Sequence, residues 1–303
     1  MIQTSTQDGY PIVIPISFHG YNLVQYLGCG STSVVFLIED ENSHELYSAK
    51  ILAKADIENK NIEISIKNEV QILQSVSHPN IIKVQDFFII KNQYEQEYYV
   101  IIMEYCQNGD LLSYATKHGF TNDSEKKRII KGFLGAIEYL HNNGISHGDI
   151  KTENILLDSN FQPKLCDFGF CKMNRIAGDE SKNGTLYYAA PELFVTGSFD
   201  TIKADIYAIG ITLYALSELQ FPFISGNQTF IIQQIMSGCL SIRSGIDEKL
   251  LRLVQKCTSM NPQYRPSIEE ILNDEYFNCQ VDNCQNNFNN QFIGYQIVYA
   301  NFY

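Results

Sequence analysis

Basic residues are scarce in this chain, and no basic block is present. Lys and Arg total 22 against 34 Asp and Glu in 303 residues, a formal net charge of −12. The longest cationic run is Lys126-Lys127-Arg128, which argues against nucleic acid or an anionic membrane as a partner. Long apolar runs are missing too. Ile206 to Leu216 is the longest near-apolar stretch, well short of the ~20 residues that cross a bilayer. Met1-Ile2-Gln3-Thr4-Ser5 has neither a basic nor an apolar leader region, and Ile2 stands where a myristoylated chain carries glycine. The eight cysteines form no Cys-x-x-Cys pair, and no His follows the close pair Cys279 and Cys284, which argues against a zinc module and a disulfide framework. The expectation is a cytoplasmic or nuclear protein with reduced thiols and no membrane anchor. Apolar residues make up 45% of the chain, ample for a core.

No internal repeat is visible. Residues 1–20, with Pro11 and Pro15 around Ile12-Val13-Ile14, read as an extended lead-in. From Tyr21 to Tyr105 the pattern is mostly strand-like, with one helix predicted where Ile62, Ile66, Val70 and Leu73 fall on a single stripe. From about Asp110 the period becomes helical, as in 129–140, 204–216 and 250–257. A hairpin is predicted over 155–168, turning at Asp158-Ser159-Asn160. The fold class is therefore α+β, with a small β-rich lobe (21–105) followed by a larger helical lobe (106–277). Residues 278–303 hold seven Asn and four Gln without Lys or Arg. That composition fits a loosely held tail, while 292–299 is apolar enough to dock.

Several residues stand out chemically. Glu69 lies beside the apolar stripe of the first helix, and Lys50 lies in an apolar strand. A buried carboxylate needs a cation, although Glu69 alone also fits a solvated helix charge. Gly28-Cys29-Gly30-Ser31-Thr32-Ser33-Val34-Val35 sits between two strands. Glycines there let backbone N–H groups approach an anion, and a plain hairpin turn explains them as well. The absence of a following helix and of Gly-Lys-Ser/Thr argues against dinucleotide and Walker-type loops. His147-Gly148-Asp149-Ile150-Lys151-Thr152-Glu153-Asn154 and Asp167-Phe168-Gly169 supply two carboxylates, an amide and a lysine. Such residues suit divalent-metal phosphate chemistry, with hard oxygen ligands for Mg²⁺ and a carboxylate to accept a hydroxyl proton.

Taken in order with Ala190-Pro191-Glu192, these blocks resemble the eukaryotic protein kinase signature series over residues 21–277. The resemblance is strongest to Ser/Thr kinases of the calcium/calmodulin-kinase-like group, although no basic amphipathic helix of the calmodulin-binding kind follows the core. It implies a bilobal kinase fold and a phosphotransferase that moves the ATP γ-phosphate to protein hydroxyls. Gly28, Gly30, Ser33 and Val35 would fold over the phosphates. Lys50 would hold the α/β-phosphates and pair with Glu69. Met103, Glu104 and Cys106 would bind adenine at the hinge, with Met103 as gatekeeper, and Asp110 would meet ribose or a basic substrate side chain. Asp149 would be the catalytic base, Lys151 would steady the γ-phosphate, and Asn154 and Asp167 would bind Mg²⁺. Gly169 completes the metal-binding motif. Leu73, Val84, His147 and Phe168 would stack into a column between the lobes. Glu192 and Arg265 would brace the activation segment, and Asp205 would hold the catalytic loop's backbone. Lys151 and Thr185 imply Ser/Thr specificity, and Glu153, Asp110 and the net charge imply substrates basic around the phosphosite.

The chain departs from that pattern in three places. Gly148 replaces the arginine that normally binds an activation-loop phosphate, and Asp179 and Glu180 precede Ser181, where the phosphorylated residue often lies. Activity independent of Ser181 phosphorylation is therefore expected. Gly148 also gives the only support for an alternative, a pseudokinase scaffold that binds nucleotide without turnover. Tyr207 stands where the family has tryptophan, which accounts for a kinase with no Trp. The third departure is Ser33, in place of the last loop glycine. Cys29, Cys106 and Cys166 map to the nucleotide cleft, as small packing residues or, at Cys29 and Cys166, as thiols open to electrophiles.

Overall fold

The run Tyr98-Tyr99-Val100-Ile101-Ile102-Met103 shows none of the apolar/polar alternation of a half-exposed strand, so a sheet containing it must be covered on both faces. The computed structural model describes residues 1–30, 32–54, 60–173, 175–178, 185–224 and 226–278, the side chains of 60–65 excepted. In chain order the N-terminal part comprises β1 (Ile2–Ser5), β2 (Pro11–Ile14), β3 (Ser17–Phe18), β4 (Tyr21–Cys29), β5 (Ser33–Asp40), β6 (Leu46–Ala53), α1 (Lys60–Ser75), β7 (Val84–Lys91) and β8 (Glu97–Glu104). Strands β3-β4-β5-β6-β8-β7 form one antiparallel sheet. On one face Leu52, Tyr99, Ile101 and Met103 join Ile66, Val70 and Leu73 of α1 in the main core. On the other face Ile51, Tyr98, Val100 and Ile102 pack with Ile12 and Ile14.

That second cover corrects the reading of residues 1–20. They are not an extended lead-in: β1 and β2 pair as a hairpin, and β3 adds an edge strand to the sheet. The reason is burial. Ile12 and Ile14 are 0% exposed, a gain of roughly 2–3 kcal/mol each over leaving them in water. The hairpin is also tied down by polar bonds. The Val13 amide donates to Tyr98 Oη (3.2 Å), and Asn92 Nδ2 donates to the Val13 carbonyl (2.9 Å).

The chain leaves β8 at Glu104 and enters α2 (Leu111–His118), then α3 (Asp123–Asn142), whose face Ile129, Ile130, Phe133, Leu134, Ile137 and Leu140 is buried. Strands β9 (Ile155–Leu157) and β10 (Pro163–Leu165) make the expected hairpin, and β11 (Ile176–Ala177) pairs with β12 (Phe199–Asp200). Helix α4 (Thr201–Glu218) is buried almost all round, as an all-apolar helix must be. It packs against α6 (Glu248–Cys257), and the lobe is completed by α5 (Gln228–Ser237), by α7 (Ile268–Leu272) against α3 and by α8 (Glu275–Asn278) against α6. Ile82 donates to the Leu165 carbonyl, and Leu165 to that of Asn80, stitching the two lobes beside the cleft. The architecture is α+β and bilobal. Among the described residues no helix is long and apolar enough to cross a membrane. The tail reading for 278–303 lies, beyond Asn278, outside the described residues.

Candidate active site

The two charges that burial made conspicuous in the sequence meet. Lys50, near the middle of β6, donates from Nζ to Glu69 Oε1 on α1 (2.8 Å) and to Asp167 Oδ1 (3.0 Å). Glu69 is 3% exposed, a place a carboxylate holds only with a cation beside it. Burial works against the Lys50 charge, but Asp167 and Glu69 outweigh it and hold its pKa above the ordinary value. In return the Lys50 ammonium pulls Asp167 down to about 2, against that carboxylate's own burial. Asp167 has φ +63°, a left-handed backbone rare for a residue with a side chain and concentrated at functional sites. Next to it Phe168, 1% exposed, meets His147 edge to face with ring centroids 5.1 Å apart. Leu73 and Phe168 both belong to the main core, against which Val84 packs, and His147 joins it through Phe168.

The loop 147–154 is held by its backbone. Asp205 Oδ2 accepts the His147 amide (2.7 Å), and its Oδ1 accepts the Gly148 amide (2.9 Å). His147 is fully buried, and its Nε2 lies 3.2 Å from the Cys166 carbonyl. Asp149 collects the loop's polar groups. Its Oδ2 takes Lys151 Nζ (2.7 Å) and Asn154 Nδ2 (3.1 Å), and its Oδ1 takes the amide and hydroxyl of Thr185 (3.2 and 3.0 Å). Lys151 also donates to Thr185 Oγ1 (3.0 Å). Burial lowers the Lys151 pKa, but Asp149 overrides it and the net shift is upward. The cleft therefore presents a carboxylate fixed by an ammonium, an amide and a hydroxyl, with a second ammonium–carboxylate pair close by.

The roof of the cleft is the β4–β5 turn. Gly28, one residue before the end of β4, stands opposite Val35, and Val35 in turn opposes Lys50 across β5 and β6. The Gly30 amide donates to the Ser33 carbonyl, closing the turn. At the back, Met103 and Cys106 are buried, and Glu104 accepts the Lys83 amide and pairs with Lys164. Asp110 caps α2 by accepting the Ser113 amide at Oδ1. Cys29 is exposed, while burial pushes the Cys166 thiol well up and the Cys106 thiol to about 12. Of the three cleft thiols Cys29 is the most open, Cys166 is half-buried and Cys106 is buried. Farther out, Arg265 is 2% exposed and grips Glu192 with both guanidinium nitrogens (2.6 and 2.8 Å), over the ring of Tyr207 at 5.1 Å. Gly169 completes the Asp167 turn, and a Cβ there would sit 3.7 Å from Asp167 Oδ1 and Glu69 Oε2. Ser181 lies outside the described residues.

Sequence reasoning missed two contributors. His141 at the end of α3 places Nε2 2.9 Å from Asp205 Oδ2, a third contact on the residue that holds the loop. Ser48 donates its hydroxyl to the Glu104 carbonyl (3.2 Å). Strand register gave a signal for Ser48, which stands two residues before Lys50 on the same strand face. His141 carried none, because its meeting with Asp205 depends on how α3 packs against α4.

The donor set suits a divalent cation that arrives with phosphate. Among the described residues no cluster of three or more His, Cys, Asp or Glu is placed to hold a metal alone. Asn154 spends its amide N–H groups on Asp149 and keeps Oδ1 as the hard donor, while Asp167 meets Lys50 through Oδ1 alone. One carboxylate plus one amide oxygen is the complement Mg²⁺ takes when phosphate oxygens and water fill the remaining positions.

Comparison with known proteins agrees. The serine/threonine-protein kinase cds1 of Schizosaccharomyces pombe is 31% identical over 273 residues, spanning 85% of this chain and 58% of that protein. The serine/threonine-protein kinase SIK1 of Rattus norvegicus is 30% identical across 89% of this chain and 34% of its own length. For the serine/threonine protein kinase OSK3 of Oryza sativa the figures are 29%, 86% and 51%. The chain thus spans between a third and three fifths of these relatives. The protein kinase domain family matches residues 21–277, a span that holds Lys50, Glu69, Asp149, Asn154 and Asp167, and the chain belongs to that family.

Proposed function

We propose that this chain is a serine/threonine protein kinase that transfers the γ-phosphoryl group of ATP, with Mg²⁺, to Ser and Thr hydroxyls of proteins. Membership of the family implies ATP with a divalent metal. What carries the reading is the convergence in one cleft of the Lys50–Glu69–Asp167 set with the Asp149–Lys151–Thr185 set. Lys50 is positioned to hold phosphate oxygens while Glu69 fixes its direction. Asp149 receives the proton of the attacking hydroxyl, and Lys151 balances charge on the transferring group. Asn154 and Asp167 would hold the metal, which when bound neutralises charge on the β- and γ-phosphates. Such catalysis is mostly positioning and electrostatic stabilisation. The exposed Glu153, the nearby Asp110 and the net charge of −12 support substrates basic around the phosphosite. Among the described residues Lys50, Glu69, Asp149, Lys151, Asn154 and Asp167 are all in place, which favours turnover over a scaffold.

Mg-ATP turnover on a Ser/Thr peptide library tests this. Lys50→Met and Asp149→Asn should each cut the rate by roughly 100-fold or more, the scale for losing one preorganised charge or the general base. A parent chain that binds nucleotide yet phosphorylates no peptide would replace the kinase with the scaffold. Rates that survive both substitutions would mean the activity is not the chain's own.

A further inference from the structure

The hairpin of residues 1–20 lies wholly outside the matched family residues 21–277, and it touches the phosphate loop. The amide of Gln7, at the hairpin's tip, donates to the carbonyl of Gly30 (3.0 Å). The tip is closed by its own bonds. Thr6 donates to the Tyr10 carbonyl, Gly9 donates to the Thr6 carbonyl, and the Tyr10 amide donates to Thr6 Oγ1, with Gly9 at φ +83°. Thr6 is 4% exposed. With those groups satisfied within the turn, the Gln7 N–H is left facing the glycine loop. At its other end the hairpin is anchored through Val13 to Tyr98 and Asn92. Tyr98 lies on β8 and Gly30 follows β4. In the sheet order β4-β5-β6-β8 two strands separate those anchors, so the hairpin crosses the outer face of the sheet from the β8 side to the roof of the cleft.

We infer that this hairpin is a strut that positions the glycine loop for the nucleotide's phosphates, with Gln7 as the positioning residue, acting through its backbone N–H. The inference rests on the kinase reading and deepens it. Gly28 has nothing within 4 Å of a notional Cβ, and one at Gly30 would meet only the Ser33 hydroxyl, at 3.1 Å, so few side chains pack on the loop's glycines. A glycine-rich loop loses much conformational freedom when it closes on a ligand. A bond from a rigid, separately anchored element removes part of that freedom before the ligand arrives, which raises affinity by pre-organisation. The benefit should fall on ligands that carry phosphates, because the loop meets that part of the nucleotide.

Gln7→Pro tests it in the full chain. Gln7 is the second residue of the turn closed by Gly9 and Thr6, the position where proline is favoured, so the variant deletes one N–H and keeps the turn. Titration calorimetry with Mg-AMP-PNP should show affinity reduced roughly three- to tenfold, the range of one net hydrogen bond. Adenosine affinity should be unchanged, and the thermal midpoint should fall by a few degrees at most. In peptide assays KM for ATP should rise by the same factor, with kcat within twofold. By reciprocity, saturating Mg-AMP-PNP should slow hydrogen exchange at the Gln7 amide in the parent chain, and adenosine should not. Equal AMP-PNP affinity in parent and variant overturns the strut while leaving the kinase intact. An equal loss for adenosine overturns it as well, since the effect would then be global. A parent that binds no nucleotide overturns the kinase reading and the strut with it.

Discussion

Asp167 and Lys50 show how a single contact sets a titration. Lys50 holds the Asp167 pKa at about 2, below the ordinary carboxylate value of about 3.9. A carboxylate depressed on folding stabilises the fold fully above its unfolded pKa and loses that contribution as pH falls through the folded value. The Asp167 contribution is therefore complete above about pH 4 and disappears as pH approaches 2. Lys50, whose pKa is raised, contributes fully below about pH 10.4 and loses that contribution only above it. Between pH 5 and 9 the pair stays ionised, so any bend in the activity profile there must come from other groups. Lys50→Met should raise the Asp167 midpoint toward the ordinary carboxylate value, because the charge that lowers it most is gone. Carbon-13 NMR titration of the Asp167 carboxyl reads this directly. A midpoint near 2 in the variant would show that Lys50 is not what depresses it.

Among the elements, the tie between Glu192, in the short helical turn Pro191–Phe194, and the stretch ahead of α7 is made by Arg265. Its side chain is fully buried, with Nε on the Ser259 carbonyl and Nη1 on both Glu192 and the Lys203 carbonyl. Removing one partner of a buried pair costs roughly 3–5 kcal/mol, because the other charge is stranded. Arg265→Ala should lower chemical stability by about that amount in urea melts. Arg265→Lys should recover only part of it, since an ammonium lacks the planar fork that grips both Glu192 oxygens. Full recovery by lysine would mean charge alone holds the element. This tie was legible in the sequence, as was most of the cleft, because these residue types in this order resemble the protein kinase series. The N-terminal hairpin was not. Ile12-Val13-Ile14 between two prolines is too short to declare a partner, and its partner is a sheet face assembled from residues 34–102. The missing alternation in 98–103 carried that information, but only as a requirement for some cover. His141 escaped for a similar reason, standing 64 residues from the Asp205 it meets.

For the whole molecule, the question is whether the cleft needs a phosphate to assemble. In the structure Lys50 and Glu69 are already paired, His147 and Phe168 already meet, and Asp149 already holds Lys151, Asn154 and Thr185. The residue before Asp149 is Gly148, at φ +80°, and a Cβ there would lie 2.5 Å from the Phe170 carbonyl. In this backbone any side chain at position 148 is strained and must displace the Phe170 carbonyl, and the arginine that the family resemblance puts here to bind an activation-loop phosphate is absent. Without that guanidinium, a phosphate on Ser181 would meet the charges of Asp179 and Glu180 and gain little in return. Phosphatase-treated protein and Ser181→Ala should therefore keep at least about half of the parent rate, measured in the first minutes before autophosphorylation can rebuild any modification. Gly148→Ala should lose roughly 1–3 kcal/mol of stability from left-handed strain alone, and more from the clash with Phe170. If phosphatase treatment abolishes turnover and rephosphorylation restores it, the preassembled cleft is not sufficient, and a phosphate-binding group other than residue 148 must order the segment around Thr185.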